Sequence, residues 1–187
     1  MAVSLRVIAG SARGRELRHP RSATRPTSSR LKEALFSMLD AAALLRSPAI
    51  DLYAGSGALG IEALSRGVQR CTFVEANGEN CKVIAGNLER VAVTGGTVMC
   101  GRVGHWRPEE GERYALVLAD PPYDDFDSWT EIAASISGAL TTDATIAIEH
   151  RSGQGPPEEV AGRKLWRDRK HGDGSVAIYR PTLSERG

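Results

Sequence analysis

The tetrapeptide Asp120-Pro-Pro-Tyr123 puts two hydrogen-bond acceptors, a stiff backbone and an aromatic ring side by side. An exocyclic amine on a nucleobase is a poor nucleophile because its lone pair is delocalised into the ring, so it needs orientation more than deprotonation. Asp120 and the Pro121 carbonyl can accept its two N–H groups and turn the lone pair toward an electrophilic methyl. Pro121 and Pro122 hold those acceptors rigid. Tyr123 can stack on a base swung out of its helix, worth roughly 1–3 kcal/mol. Taken alone, the four residues read equally well as a Pro-Pro turn that ends a strand.

A second group of residues changes that balance. Gly55-x-Gly57-x-x-Gly60 follows the apolar run Ala49-Ile-Asp-Leu52, and Glu75 lies eighteen residues beyond Gly57. Gly55 and Gly57 lack Cβ atoms, so a ligand can approach backbone N–H groups at a helix N-terminus. The spacing also fits the dinucleotide fingerprint, and in either case Glu75 accepts hydrogen bonds from ribose hydroxyls. Asp51 favours S-adenosylmethionine: at the strand ends it can hold the ammonium of the cofactor's methionine portion, and it would repel a pyrophosphate. Methyl transfer from a sulfonium disperses charge, so the chemistry requires no metal and no catalytic histidine.

These residues need strand tips and helix starts to carry them. Ala49 to Leu52 reads as a buried strand and Ala58 to Arg66 as its helix. Arg70 to Glu75 is a second strand and Asn77 to Val91 its helix. Thr97 to Cys100 and Tyr114 to Ala119 are further strands, the latter stopped by Pro121 and Pro122. A helix from about Ser128 to Leu140 and a strand from Ala144 to Glu149 continue the alternation, which implies a parallel sheet with helices on both faces. Arg163 to His171 and Ser175 to Tyr179 form a terminal antiparallel hairpin. Before the first strand, Leu31, Ala34, Leu35, Met38 and Leu39 make an amphipathic helix with Arg30 and Lys32 off the apolar stripe. Leu5 to Ala9 and Arg15 to His19 flank a glycine turn as a small hairpin.

The totals are those of one ordinary globular domain. In 187 residues, 24 Lys and Arg nearly balance 23 Asp and Glu, but Met1 to Lys32 holds eight basic residues against one acidic. A basic front end on a near-neutral body suggests a polyanion, nucleic acid first; the alternative is a solvated arm. The organisation expected is a basic hairpin and linker, residues 1–27, and a catalytic domain, residues 28–187. No apolar run reaches the roughly 20 residues of a bilayer span and the start lacks signal-peptide order, so a cytoplasmic protein is expected. Cys71, Cys81 and Cys100, an odd number without ligand spacing, read as buried apolar fillers.

With these residues in place the chain resembles the RsmD-type small-subunit ribosomal RNA methyltransferases, which methylate the 2-amino group of one guanine in 16S rRNA. "RVIAGSARGRELRHP" resembles the opening hairpin of that family and "TRPTSSRLKEALFSML" its linker and first helix. "DLYAGSGALGIEALSRG" matches its cofactor loop, "FVEAN" its ribose-binding strand end, "DPPY" its catalytic motif and "HGDGSVAIYR" its closing strand. The resemblance implies a three-layer Rossmann-like class I S-adenosylmethionine-dependent methyltransferase fold, with a seven-stranded, mostly parallel sheet whose last strand is reversed. It implies catalysis at Asp120, Pro121, Pro122 and Tyr123. It implies cofactor contacts at Asp51, Ala54, Gly55, Ser56, Gly57, Glu75 and Ala76, with the adenine side near Arg102 and Val103. Arg25, Thr27 and Arg30 resemble linker residues over the cleft, and Arg6, Arg13, Arg15, Arg18, Arg25 and Arg30 make up the expected RNA-contact set. The implied partner is 16S rRNA within the small subunit, met by a monomer.

Three rivals are distinguishable. A DNA adenine-N6 methyltransferase uses the same tetrapeptide but normally brings a target-recognition domain, for which a thirty-residue arm is short. A nicotinamide-dependent reductase is disfavoured by Asp51 and by the lack of an obvious proton donor. A non-catalytic RNA-binding module would not need an intact Asp120-Pro-Pro-Tyr123.

Overall fold

The computed structural model describes residues 5–20, 29–125 and 127–182. Five parallel strands form its centre: β1 (Ala49–Leu52), β2 (Cys71–Glu75), β3 (Gly96–Cys100), β4 (Tyr114–Ala119) and β5 (Leu140–Arg151). Three more strands, β6 (Glu159–Val160), β7 (Arg163–His171) and β8 (Gly174–Arg180), extend it antiparallel, giving the order β3-β2-β1-β4-β5-β8-β7-β6. β1, β4 and β8 carry almost unbroken buried runs, as strands covered on both faces do.

The sheet therefore has eight strands, not the seven expected. The extra one exists because Ala161 (φ 47°) and Gly162 (φ 75°) both take the left-handed region, as the two-residue turn of a tight hairpin requires. The terminal hairpin of β7 and β8 forms as read from the sequence.

Helices cover both faces. α1 (Ser29–Ala41), α2 (Ala58–Ser65) and α3 (Gly78–Arg90) bury Leu35, Phe36, Leu39, Ile61 and Ile84 against one face, and α4 (Ser128–Ile136) buries Ile132 and Ile136 against the other. α3 starts where Asn77 accepts the Glu79 and Asn80 N–H groups. α4 stops four residues before the expected Leu140, because Ser137 is extended and Gly138 has φ 76°. Leu140 belongs instead to β5, paired with Tyr114 beyond a bulge. Among the described residues no helix is long and apolar enough to cross a membrane.

The opening hairpin is joined by one bridge, Arg6 to Glu16, with flanking backbone bonds from Val7 to Arg15 and from Leu17 to Leu5. It is docked on the domain, since Leu5, Val7, Ala12 and Leu17 are buried in the core that α1, α2 and α3 share. At its tip a Cβ on Gly10 would lie 1.8 Å from the Ser65 carbonyl oxygen, so only glycine allows the turn to abut the end of α2.

Lys32, off the apolar stripe of α1, is nonetheless buried: it is 2% exposed, its Nζ 3.2 Å from Oε2 of Glu62, which is itself fully buried in α2. Glu62 also accepts the backbone N–H groups of Ile8 and Ala9 at 2.8 and 3.0 Å, and Lys32 donates to the Arg6 carbonyl. One carboxylate thus ties the hairpin, α1 and α2 together. Burial pulls the Lys32 ammonium below its ordinary pKa, against the opposing pull of Glu62.

The cysteines divide. Cys71 is buried and free, as expected, whereas Cys81 of α3 and Cys100 of β3 are paired, with Cα atoms 6.2 Å apart. Their spacing of nineteen residues hid this, because the α3–β3 turn brings them together.

Candidate active site

β1 lies between β2 and β4, and the sheet's helices change sides there: α2, after β1, covers one face, and α4, after β4, covers the other. A crevice opens at such a switch, outside the carboxyl ends of the strands. The register puts Leu52 opposite Ala119, so the glycine loop after β1 and Asp120 after β4 leave the sheet at the same level. Between them is a cleft of about 750 Å³, a size suited to a nucleotide-class ligand. Asp51, Ala54, Gly55 and Ser56 line one side, and Asp120, Pro121, Pro122 and Tyr123 the other. A second cavity, about 310 Å³, shares Pro121, Pro122 and Tyr123 and continues to Trp129 and His150.

The loop's glycines have separate tasks. Gly55 (φ 56°) lines the cleft, and a Cβ there would meet only the Tyr53 carbonyl oxygen, at 3.9 Å. Gly57 (φ 78°) also needs positive φ, but its absent Cβ faces the Ile84 and Ile61 side chains, not a ligand. That differs from the expectation that both bare backbones face the cofactor.

Three carboxylates surround the loop. Asp51 is 1% exposed, and its Oδ2 accepts the Gly60 N–H at 2.8 Å, satisfying a first-turn donor of α2 from the neighbouring strand. Burial raises its pKa well above the usual carboxylate range; the Gly60 bond opposes this and the charges of Asp120 and Glu75 add to it. Glu75 accepts the Gly55 N–H at 2.8 Å through Oε2 and the Asn77 N–H at 2.8 Å through Oε1. It therefore clamps the loop to the tip of β2, a role the sequence did not reveal. An ionised carboxylate has about four acceptor sites, so ribose hydroxyls remain within its capacity. A buried acid pressed by two others is relieved by a cation and disfavours a phosphate, so the donor set fits a cofactor carrying ammonium and sulfonium groups.

The adenine-side expectation fares differently. Val103 is buried in the α4-side core, and Arg102 turns to Glu131 at 3.1 Å. Neither lines the cleft. Glu131 in turn accepts from the Tyr53 hydroxyl at 2.7 Å, a bond that lowers the pKa of Glu131 while burial raises that of Tyr53. Tyr53, at φ 56° beside the loop, does line the cleft and was missed; its position between β1 and Gly55 is the signal that could have found it.

At the other wall, Tyr123 donates to Oε1 of Glu149 at 2.9 Å, and the Arg151 guanidinium lies 5.9 Å from its ring centre while bonding Asp124. Glu149 and Arg151, on β5, were also missed, because only pairing of β5 with β4 brings them to the cleft. Of the basic set, Arg30 lines the cleft beside His19 and Pro20. Arg6 pairs with Glu16, and Arg15 donates to the Val91 carbonyl. Arg13 and Arg18 have exposed side chains. Arg25 and Thr27 lie outside the described residues, as does part of the linker.

Comparison with known proteins adds a separate line. The family model described as Conserved hypothetical protein 95 matches residues 5–180. Ribosomal RNA small subunit methyltransferase D of Escherichia coli is 30% identical over 177 residues, which cover 94% of this chain and 89% of that protein. Among solved structures, yhhF from Escherichia coli superposes with a TM-score of 0.81 at 28% identity, covering 96% of this chain and 98% of that one. A hypothetical protein of Thermus thermophilus gives 0.79 at 30% identity, covering 92% of this chain and 97% of its own.

Proposed function

The chain belongs to the RsmD-type ribosomal RNA methyltransferase family, and on that premise we propose that it methylates the 2-amino group of one guanine in 16S rRNA, using S-adenosylmethionine. The observation that carries the reading is the level placement of Asp120 and the glycine loop on either side of one cleft. S-adenosylmethionine supplies a sulfonium methyl when bound. Asp51 and Glu75 would hold it beside the glycine loop, and the crowding of buried Asp51 by Asp120 and Glu75 would be relieved by its cationic groups.

Asp120 and the Pro121 carbonyl accept the two N–H groups of the guanine amine and aim its lone pair across the cleft. The ring of Tyr123 stacks on the extruded base, and its tether to Glu149 fixes the ring plane. With the methyl supplied by the cofactor's sulfonium, which would leave as a neutral thioether, Asp120 would accept the proton that the methylated amine sheds. Arg13, Arg18 and Arg30 grip the RNA around the target.

The test is transfer of labelled methyl from S-adenosylmethionine to unmethylated small ribosomal subunits, naked 16S rRNA and DNA, with the product nucleoside identified. N2-methylguanine in RNA is expected. Methylated adenine in DNA would favour the rival enzyme, and no transfer to any substrate would favour a binding module.

A further inference from the structure

The penultimate strand β7 carries five Lys and Arg residues from Arg163 to Lys170 against one Asp, and the catalytic reading above leaves them unused. Their faces follow from the register with β8. Directly opposed residues of an antiparallel pair point to the same side. Lys164 opposes Arg180, Arg167 opposes Ile178, Arg169 opposes Val176 and His171 opposes Gly174. Ile178 and Val176 belong to the core under α1, α2 and α3, so these basic residues share that side of the sheet. Asp168 opposes Ala177 and turns to the other side, where it meets His150 at 3.1 Å. The single acid is thereby removed from the stripe.

Trp166 completes it. The ring is partly buried against the same core, and the guanidinium groups of Arg167 and Arg180 lie 4.2 and 4.9 Å from its centre. Stacking on an aromatic face holds an arginine's fork in place while leaving its N–H groups free to donate. Lys164, Arg167 and Arg169 are exposed, and among the described residues none of them is in an ion pair. The stripe runs roughly 20 Å along the strand. Its end is not arbitrary: His171 and Gly174 line the cleft that holds Asp120 and Tyr123.

We propose that the face of β7 formed by Lys164, Trp166, Arg167, Arg169 and His171 is a second RNA-binding surface, which grips the sugar-phosphate backbone of the strand leading to the target base. It deepens the methyltransferase reading and rests on the substrate being RNA. The simpler explanation is a charged edge that blocks strand addition, because β6 pairs only with Arg163 and Lys164 and the rest of the β7 edge has no strand partner among the described residues. A blocking edge is indifferent to the sign and the face of its charges. A polyanion site depends on both.

That difference sets the experiment. Binding of a fluorescent 16S-derived RNA is measured over a range of salt for the full chain, for Arg167→Glu/Arg169→Glu, and for Lys170→Glu on the opposite face. The double variant keeps a charged edge. S-adenosylmethionine affinity and monomeric elution serve as fold controls. The expected result is a loss on the order of tenfold in RNA affinity and a salt slope smaller by about 1.5–2 for the double variant, with little change for Lys170→Glu. Unchanged RNA affinity in the double variant, or an equal loss in Lys170→Glu, would overturn the proposal. Failure of the methyltransferase reading looks different: the wild type would bind RNA with this dependence and transfer no methyl to it. A wild type that binds no RNA would overturn both.

Discussion

The Tyr123 hydroxyl of the β4 tip donates to Oε1 of Glu149 on β5 at 2.9 Å, joining the residue expected to stack on the substrate to the strand beside it. Glu149 is buried, and a Cβ on Gly174 of β8 would lie 2.6 Å from the same hydroxyl, so the ring is held from two neighbouring strands. Tyr123→Phe keeps the stacking surface and loses the tether, and kcat should fall roughly threefold to tenfold with KM little changed. Tyr123→Ala loses stacking as well, and kcat/KM should fall about 5–150-fold. Steady-state kinetics with ribosomal subunits separates the two; equal effects would mean the hydroxyl, not the ring, is what matters.

Asp51 makes the cofactor-free protein sensitive to pH. Its native pKa is raised above 3.8, so the folded chain binds this proton more tightly than the unfolded chain does. The stabilisation is fully present below pH 3.8 and is lost as pH rises through the native value. Asp51→Asn keeps an acceptor for the Gly60 N–H without a charge. Thermal melts of the cofactor-free forms from about pH 4 to about pH 8 should therefore show the wild type losing stability relative to the variant as pH rises. Parallel curves would contradict the assignment. Cofactor affinity should fall in the same variant, an exchange of stability for function.

Glu62 should be among the most costly residues to remove. Glu62→Ala strands the buried Lys32 ammonium and leaves the Ile8 and Ala9 N–H groups without their acceptor. Breaking a buried pair in this way costs about 3–5 kcal/mol, a drop in Tm on the order of 10 °C for a chain of this length. Replacing both partners, as Lys32→Met with Glu62→Met, should cost less than Glu62→Ala alone. Denaturant titration reads the difference, and additive losses would remove the pair from the account.

The opening hairpin calls for point changes, not deletion. Leu5, Val7, Ala12 and Leu17 are core residues, and Leu5, His19 and Pro20 line the cleft, so truncation would damage both. Arg13→Glu with Arg18→Glu leaves those contacts in place. RNA affinity measured against salt should lose about 1.5–2 units of slope while S-adenosylmethionine affinity is kept. An unchanged slope would exclude these two side chains from phosphate contact.

Much of the site was legible because it is local. Asp51, the glycine loop, Glu75 and Asp120-Pro-Pro-Tyr123 sit at strand tips whose period and punctuation are plain in the sequence, and the parallel order brought them to one edge. What stayed hidden depends on pairing between distant segments. Lys32 falls off the apolar stripe of its own helix and is buried only because Glu62 meets it from another. Glu149 and Arg151 reach the cleft only through the β4–β5 register, and Cys81 meets Cys100 only across the α3–β3 turn. Gly57 was assigned to the right loop and the wrong side, since spacing indicates a turn but not which way a missing Cβ would point.

The central claim is that Asp120 touches the accepting amine and not the cofactor, and it is tested most directly by measuring both functions in one variant. Methyl transfer to unmethylated small subunits and S-adenosylmethionine affinity by calorimetry are compared for the wild type and Asp120→Ala. The account predicts N2-methylguanine from the wild type, and in the variant a loss of about 100-fold or more in transfer with cofactor affinity within a fewfold of wild type. Equal loss of both, or transfer that survives the substitution, would contradict it.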